Sequence, residues 1–97
     1  MVLSNPIEFQ WDRGNINKNY LKHNVTNQEI EEVFFDGNKK INKDVLHAGR
    51  ERRFQLIGRT TLGRILFVVF TLRDKNIRVI SARDLNKKEV SLYEKAN

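Results

Sequence analysis

Three segments of this sequence carry polar side chains at alternating positions, in the pattern of β-strands with one polar face. The pairs are Arg53 with Gln55, Thr71 with Arg73, and Ser81 with Arg83. Because successive strand side chains point to opposite faces, both members of a pair share a face. A planar guanidinium binds two phosphate oxygens at once and stays charged at any working pH. If the strands are neighbours, the arginines are expected to meet at one rim and to bind phosphate.

The meeting of these arginines depends on strand register, which the sequence leaves open. The competing interpretation is that arginines at strand ends are solvated side chains that keep the sheet edges soluble. Both interpretations place the basic groups on a sheet, and only the first gives them a shared ligand.

Lys22 and His23, at the predicted end of a helix, are candidates for proton transfer. Histidine exchanges protons near neutral pH, and lysine adds a fixed positive charge. A histidine at a helix C-terminus is equally explained by its favourable interaction with the helix dipole. The other histidine, His47, lies in a predicted loop and carries no specific signal. With two distant histidines, no cysteine and no carboxylate cluster, we expect neither a metal site nor a cofactor.

Length and composition limit the setting of this chemistry. The 97 residues fit one domain, 1–97, and the absence of cysteine excludes disulfides and thiolate metal sites. The first six residues lack the basic start and apolar run of a secretory signal. The longest apolar run, residues 65–70, is too short to span a bilayer. We therefore expect a soluble, cytoplasmic protein with no membrane partner.

The net charge of +6 is unevenly distributed. Residues 1–38 carry three basic and six acidic side chains, whereas residues 39–97 carry 15 basic and six acidic ones. A basic stretch raises the local concentration of a polyanion. A polyanion-binding surface is therefore expected in the C-terminal part, although a basic surface that serves only solubility explains the same charge.

The periodicity of the chain predicts an α+β fold. An edge strand is predicted at residues 7–11, followed by a helix from Asp12 to Asn24 and a second helix that begins at Thr26 with a capping box. Strands follow at 39–42, 53–59, 65–73 and 77–83, with turns at 61–63 and 74–76. Short connections favour an antiparallel sheet. The apolar strand 65–73 is expected to be central and covered on both faces, and residues 86–94 form a short terminal helix.

Several ordered fragments resemble the BrnT toxin family. The N-terminal fragments are Phe9-Gln10-Trp11-Asp12, residues 19–25, Glu29 and Val33-Phe34. The C-terminal fragments are residues 53–59, 66–73 and 77–83, followed by Glu89 and Tyr93. The resemblance covers about residues 7–94. Two positions depart from the family pattern, Asn24 where glycine is usual and Asn15 where lysine is frequent.

The resemblance implies a fold similar to the RelE-like ribonucleases, with two N-terminal helices packed on the sheet. It implies a type II toxin that degrades RNA and halts translation. It also implies a BrnA-like antitoxin whose ribbon-helix-helix portion binds DNA, so that the toxin meets DNA only through the complex. The positions that carry over are Lys22, His23, Arg53, Thr71, Arg73, Ser81, Arg83 and Tyr93.

We interpret these residues as the site of metal-independent cleavage, in which an RNA 2′-hydroxyl attacks the adjacent phosphate. Arg73 and Arg83 then stabilise charge on the transition state, and Lys22 or His23 moves protons. Arg53 and Thr71 position the phosphate, while Ser81 and Tyr93 bind the substrate. Two alternatives remain open: a basic module that binds nucleic acid without cutting it, and a protein whose basic face only holds a protein partner.

Overall fold

The computed structural model describes residues 3, 6–44 and 51–95 of the chain. The helices are α1 (Lys18–His23), α2 (Asn27–Val33) and α3 (Lys87–Lys95), and the strands are β1 (Lys40–Asp44), β2 (Arg53–Arg59), β3 (Ile65–Arg73) and β4 (Asn76–Asp84). The predicted α+β class, with two N-terminal helices, an antiparallel sheet and a short C-terminal helix, is confirmed. His47 and residues 1, 2, 4 and 5 lie outside the described residues. No helix in the described part of the chain is long and apolar enough to cross a membrane.

The four strands form one sheet in chain order, β1-β2-β3-β4, and each neighbouring pair is antiparallel. The turns lie where they were predicted: Gly63 has a φ of 96° between β2 and β3, and Asp74 and Lys75 have φ values of 50° and 74° between β3 and β4. Two consecutive left-handed residues match the twist of an antiparallel hairpin. The bounds of β2 and β3 are those predicted, and those of β1 and β4 differ by one or two residues.

The predicted strand at residues 7–11 is reduced to a single bridge, in which Phe9 pairs with Ile77 of β4. The orientation is parallel. Ile77 donates its N–H to Glu8 O and accepts from Gln10 N, both at 2.8 Å. The segment therefore lies at the sheet edge, as expected, but pairs over one residue only.

The core lies between α2 and the face of the sheet that carries Leu56, Val68 and Phe70. Phe34, at the end of α2, meets Phe70 edge-on with ring centroids 5.1 Å apart. Phe70 in turn stacks on Phe54 at 5.5 Å. Phe34 and Phe70 are fully buried, and complete burial of one such side chain stabilises the fold by about 1.5–3 kcal/mol.

The face of the sheet that points away from α2, called the outer face below, is only partly covered. In β3, which lies inside the sheet as predicted, Leu66 and Val68 are fully buried, whereas Phe67 and Val69 on the outer face are half-buried. The expectation that both faces of β3 are covered was wrong, because α2 packs on one face only. An apolar strip is thus left on the outer face.

The free edge of β4 is closed by polar side chains from the segment around α1. Two of them donate to backbone carbonyls and one accepts a backbone N–H: Asn15 Nδ2 to Val79 O at 3.2 Å, Lys18 Nζ to Ile80 O at 3.3 Å, and Asn19 Oδ1 from Ala82 N at 2.9 Å. Such cover prevents pairing of the edge with another chain. It also fixes α1 beside β4.

Helix α1 begins at Lys18, whereas the sequence predicted a start at Asp12. Asn17 has a left-handed φ of 57°, which a helix cannot continue through. The Asp12 carboxylate accepts from Gly14 N at 2.9 Å, as a cap does, and also binds Arg78, at 2.5 Å to Nη1 and 3.0 Å to Nη2. The predicted end is confirmed, since Asn24 has a φ of 56° at the C-terminal cap.

Helix α2 begins with the capping box predicted from Thr26 and Glu29. Thr26 Oγ1 accepts from Glu29 N at 3.1 Å, and Glu29 Oε1 accepts from Thr26 N at 3.0 Å. These two bonds satisfy donors that a helix start leaves unpaired. Glu29 Oε2 also lies 3.2 Å from Arg64 Nη1. This ion pair attaches the start of the helix to the sheet.

Arg64 precedes β3 and joins both helix ends to the sheet. Its guanidinium binds Asp84 through Nε at 2.6 Å and Nη2 at 2.9 Å, and donates to His23 O and Asn24 O at 3.2 and 2.8 Å. The hydrogen bonds to Asp84 raise the pKa of Arg64 and lower that of Asp84. Partial burial opposes ionisation of Glu29, but bonds from Thr26 and Arg64 hold the pKa of Glu29 below its usual value.

Gly58 in β2 permits the close approach of α2. A Cβ added there would lie 2.7 Å from Val33 O and 2.9 Å from Val33 Cβ, so the helix would have to move. We expect Gly58→Ala to lower the free energy of unfolding by about 1–3 kcal/mol. Gly37→Ala is the matched control, because nothing lies within 4 Å of its added Cβ. Urea denaturation of both variants measures the difference, and equal midpoints would contradict this account of Gly58.

Candidate active site

The register of the sheet places the predicted polar pairs on the outer face. Three rows of cross-strand neighbours follow from the pairing: Arg53, Thr71 and Arg78; Gln55, Val69 and Ser81; Ile57, Phe67 and Arg83. Arg73 follows Thr71 on the same face and pairs with Asn76. Arg53, Arg73 and Arg83 therefore share a face, as the sequence predicted.

A polar hollow of about 180 Å³ lies at one end of this face. Its wall is formed by the ends of β2, β3 and β4 and by the turn that precedes α1. The side chains that concern its chemistry are Lys18, Glu51, Arg53, Thr71, Arg73 and Arg78. This set, called the cationic hollow below, brings four positive groups and one carboxylate around a space large enough for a phosphate group.

Arg53 supplies the most informative atom of the cationic hollow. Its Nε is buried and has no hydrogen-bond partner among the residues that the structure describes. An unpaired buried N–H costs about 1–3 kcal/mol, and more when the group is charged. Native proteins leave few such groups, and each calls for an explanation. Because Arg53 also lines the hollow, its guanidinium keeps unused hydrogen-bonding capacity beside the space where an anion would bind.

Arg73 and Glu51 form an exchangeable pair at the mouth of the cationic hollow. Glu51 Oε1 accepts from Arg73 Nε at 3.2 Å and from Arg73 Nη2 at 3.0 Å. The two side chains are 48% and 43% exposed, and such surface pairs contribute about 0–1 kcal/mol. A doubly charged ligand can therefore displace Glu51 from Arg73 at little cost.

Arg78 and Lys18 are held more firmly. Arg78 is only 15% exposed and is clamped by both oxygens of Asp12. The Arg78 hydrogen bond lowers the pKa of Asp12. A Cβ on Gly14 would lie 2.7 Å from Arg78 Nη2, so glycine lets the turn pass this guanidinium. Lys18 Nζ lies at the hollow and donates to Ile80 O at 3.3 Å.

A family model described as "Ribonuclease toxin, BrnT, of type II toxin-antitoxin system" matches residues 11–89, most of the chain. The chain belongs to this BrnT family. No curated protein matches the chain significantly. The family consists of ribonuclease toxins of type II systems, which act on RNA and have an antitoxin partner. Within the described residues, no three His, Cys, Asp or Glu side chains form a group that could hold a metal ion.

Of the eight positions carried over from the BrnT resemblance, three lie in the cationic hollow. They are Arg53, Thr71 and Arg73. Thr71 is 2% exposed and donates its hydroxyl to Arg52 O at 2.7 Å, so its side chain is fixed between Arg53 and Arg78. These three residues come from two adjacent strands, and their grouping follows directly from the register of β2 and β3.

Ser81 and Arg83 share the outer face with the BrnT positions in the hollow but lie further along it. Phe67, the β3 residue in the row of Arg83, precedes Thr71 by four residues. Four strand residues span about 13 Å, so the two rows lie about that far apart along the sheet. Arg83 is paired with Glu89 of α3 at 2.9 Å. Ser81 is half-buried beside Val69. The structure therefore separates Arg83 from the other two predicted arginines.

The remaining BrnT positions lie away from the hollow. Lys22 and His23 are exposed at the end of α1, and the charge of His23 acts on Asp84. Tyr93 is 4% exposed and donates its hydroxyl to Asp36 Oδ2 at 2.6 Å. Burial and the bond to Asp36 raise the pKa of Tyr93. Its ring is thus used in attaching α3 to the sheet.

Three residues of the hollow were not predicted: Lys18, Glu51 and Arg78. Counting back along β4 by alternation from Ser81 places Arg78 on the opposite face. The register shift between β3 and β4 leaves Ile80 as an extra residue, and this reverses the parity before it. A β-bulge gives no signal in a single sequence.

Proposed function

We propose that this BrnT family toxin cuts RNA in the cationic hollow, without a metal ion or another cofactor. The 2′-hydroxyl of the substrate attacks the adjacent phosphorus, and the bond from phosphorus to the 5′-oxygen breaks. The products are a 2′,3′-cyclic phosphate and a free 5′-hydroxyl. The observation that carries the proposal is the grouping of Arg53, whose buried Nε has no partner among the described residues, with Arg73 and Lys18 around a space of phosphate size.

The arginines supply charge stabilisation in this proposal. Arg53 and Arg73 bind the scissile phosphate and its developing negative charge, and Arg78, fixed by Asp12, adds a positive wall. Fixed donors aimed at developing charge commonly contribute the largest share of catalysis. Thr71 holds the backbone of Arg52 and keeps the two strands in place. Arg83 lies outside this phosphate site.

Glu51 is the group that we propose as the general base. It is the one carboxylate among the described residues that line the hollow. When phosphate takes over Arg73, a Glu51 oxygen is released to accept the proton of the 2′-hydroxyl. Lys18, an ammonium group in the same hollow, donates a proton to the departing 5′-oxygen. Solvent then restores both groups, so that protons balance over the cycle.

For Lys22 and His23 we propose a different part in the reaction from the one that the resemblance implies. Both are exposed on the helix that begins with Lys18. His23 follows Lys18 by five residues, a rise of about 7.5 Å along the helix axis. We propose that they contact the RNA backbone beyond the hollow, where positive charge strengthens binding in a salt-dependent way.

Loss of Arg73 or Arg53 tests the phosphate site. We expect Arg73→Ala and Arg53→Gln to cut a short RNA about 10²–10³-fold more slowly than the unaltered protein. Cleavage is followed by gel electrophoresis in excess EDTA, with end-group analysis for the cyclic phosphate. Lys87→Ala, which removes one exposed charge from α3, is the control and should cut normally.

Two outcomes would contradict this assignment. Cleavage that needs added Mg²⁺ would exclude the metal-independent reaction. RNA that is bound tightly by the unaltered protein, with strong salt dependence but no cleavage, would support the non-catalytic binding module instead. Thermal unfolding of each variant shows whether a slow rate reflects loss of the fold.

Exchange of Glu51 for glutamine separates catalysis from binding. Glu51→Gln removes the proposed base together with a negative charge that competes for Arg73. We expect cleavage to slow by about 10²–10⁴-fold, while uncleavable RNA binds at least as tightly as before. Rates from single-turnover assays and affinities from fluorescence anisotropy give the two quantities. A variant that binds RNA more weakly and cuts at the normal rate would exclude Glu51 as the base.

We propose that the antitoxin partner is a BrnA-like ribbon-helix-helix protein, and that the toxin acts in the cytoplasm and inhibits translation. Large apolar side chains are exposed on α1, after α2 and in the turn between β2 and β3, and they support a protein partner: Leu21 (83% exposed), Phe35 (66%) and Leu62 (99%). Exposed apolar groups of this size mark interaction surfaces when they cluster. DNA would be bound by the antitoxin part of the complex.

Co-expression tests this partner. Induction of the toxin should stop growth and protein synthesis, and a ribbon-helix-helix protein encoded beside it should restore both. In gel-shift assays the purified complex should bind its promoter DNA, whereas the toxin by itself should not. Arg73→Ala provides the inactive toxin that still forms the complex. Equal DNA binding by toxin and complex would contradict the indirect role.

A further inference from the structure

Arg83 is attached to α3 and to the end of its own strand by its hydrogen bonds. Nη1 donates to Glu89 Oε1 at 2.9 Å and to Asp84 O at 3.0 Å, and Nη2 donates to Glu89 Oε2 at 3.1 Å. This two-point pairing uses the edge formed by Nη1 and Nη2, one of the two edges with which a guanidinium binds two oxygens. Glu89 is held in turn by Asn86 N at 3.0 Å. The plane of the guanidinium is therefore fixed.

The two faces of that plane are used differently. One face covers Phe67, with the guanidinium carbon 4.7 Å from the ring centroid. The Arg83 side chain is nevertheless 41% exposed. A flat cationic group that rests on an aromatic ring and keeps exposed surface offers a stacking platform. RNA-binding proteins stack unpaired bases on aromatic rings and on guanidinium planes.

The position of the platform suits a strand that is held in the cationic hollow. Val69, which is half-buried, lies on the outer face between Phe67 and the row of Thr71 and continues the apolar strip toward the hollow. The platform lies about 13 Å from the hollow along the sheet, by the rise of four strand residues. A single strand of RNA whose phosphate occupies the hollow would thus present a neighbouring base near Arg83.

We propose that Arg83 and Phe67 form a stacking subsite for a nucleobase of single-stranded RNA, outside the position of cleavage. The inference rests on the proposed function, because it takes the hollow as the phosphate site. Stacking uses the π-face that every base has, so the subsite accepts all four bases.

The test is a thermodynamic cycle between Arg83 and single bases of the substrate. Fluorescence anisotropy measures binding of a short 2′-O-methyl RNA, which cannot be cut, and of copies that carry one abasic site at each position in turn. One abasic position should weaken binding to the unaltered protein by about tenfold. Arg83→Ala should weaken binding of the intact RNA by the same factor. In Arg83→Ala, an abasic site at that one position should not weaken binding any further.

Matched variants distinguish stacking from charge. Arg83→Lys keeps the charge without the plane, and is expected to behave as Arg83→Ala does. Arg59→Ala removes another arginine that lies over an aromatic ring, Tyr93, at 5.8 Å. In Arg59→Ala, each abasic site should weaken RNA binding by the same factor as in the unaltered protein. If Arg83→Ala unfolds, Phe67→Leu keeps an apolar side chain, removes the ring and should reproduce the coupling.

The outcomes are separable from those of the cleavage assay. An equal loss at every abasic position in Arg83→Ala would show that Arg83 contributes only charge, and would overturn the subsite. Cleavage that fails while the coupling persists would remove the nuclease mechanism and leave the subsite. Absence of any binding to the 2′-O-methyl RNA would overturn both.

Discussion

A single guanidinium, that of Arg64, connects the parts of the molecule on which the site depends. It pairs with Asp84 at the end of β4 and with Glu29 at the start of α2, and it binds the carbonyl oxygens at the end of α1. Its fixed fork allows these bonds only when the strands and helices are in their final arrangement. The edge of β4 binds the start of α1, so this helix is attached at both ends. Lys18 therefore stays at the cationic hollow.

The second constraint is the concentration of like charge in a small space. Four cations around one hollow repel each other, and the protein offsets this with two carboxylates of unequal strength. Asp12 is bound tightly to a nearly buried Arg78, whereas Glu51 meets an exposed Arg73. Arg53 Nε is left without a partner among the described residues. Stability is thus given up where a ligand would restore it, which is common at functional sites.

The outer face combines two kinds of surface that single-stranded RNA needs. The cationic hollow suits a phosphate, and the apolar strip with the platform of Arg83 on Phe67 suits a base. Membership of the BrnT family gives a reason for both to occur on one sheet. α2 fills the other face with the hydrophobic core. The two faces therefore divide stability and activity between them.

The sequence by itself determined the class of fold, the bounds of β2 and β3, the capping box of α2 and the family. It also placed Thr71 and Arg73 on one face of their strand, because side-chain direction within a strand is a local property, whereas the register that brings Arg53 beside Thr71 was left open. The start of α1 was misplaced, since a left-handed Asn17 interrupts the turn that begins at Asp12.

Only the tertiary structure decided which charges meet. Arg78 reaches the outer face because an extra residue in β4 reverses its parity, and Lys18 reaches the hollow because α1 closes the edge of that strand. Arg83 is paired with Glu89 of α3 and lies outside the hollow. Each of these outcomes depends on register, on a bulge or on the docking of a helix. Such contacts between distant residues are fixed by packing of the whole chain, so that no pattern within one segment encodes them.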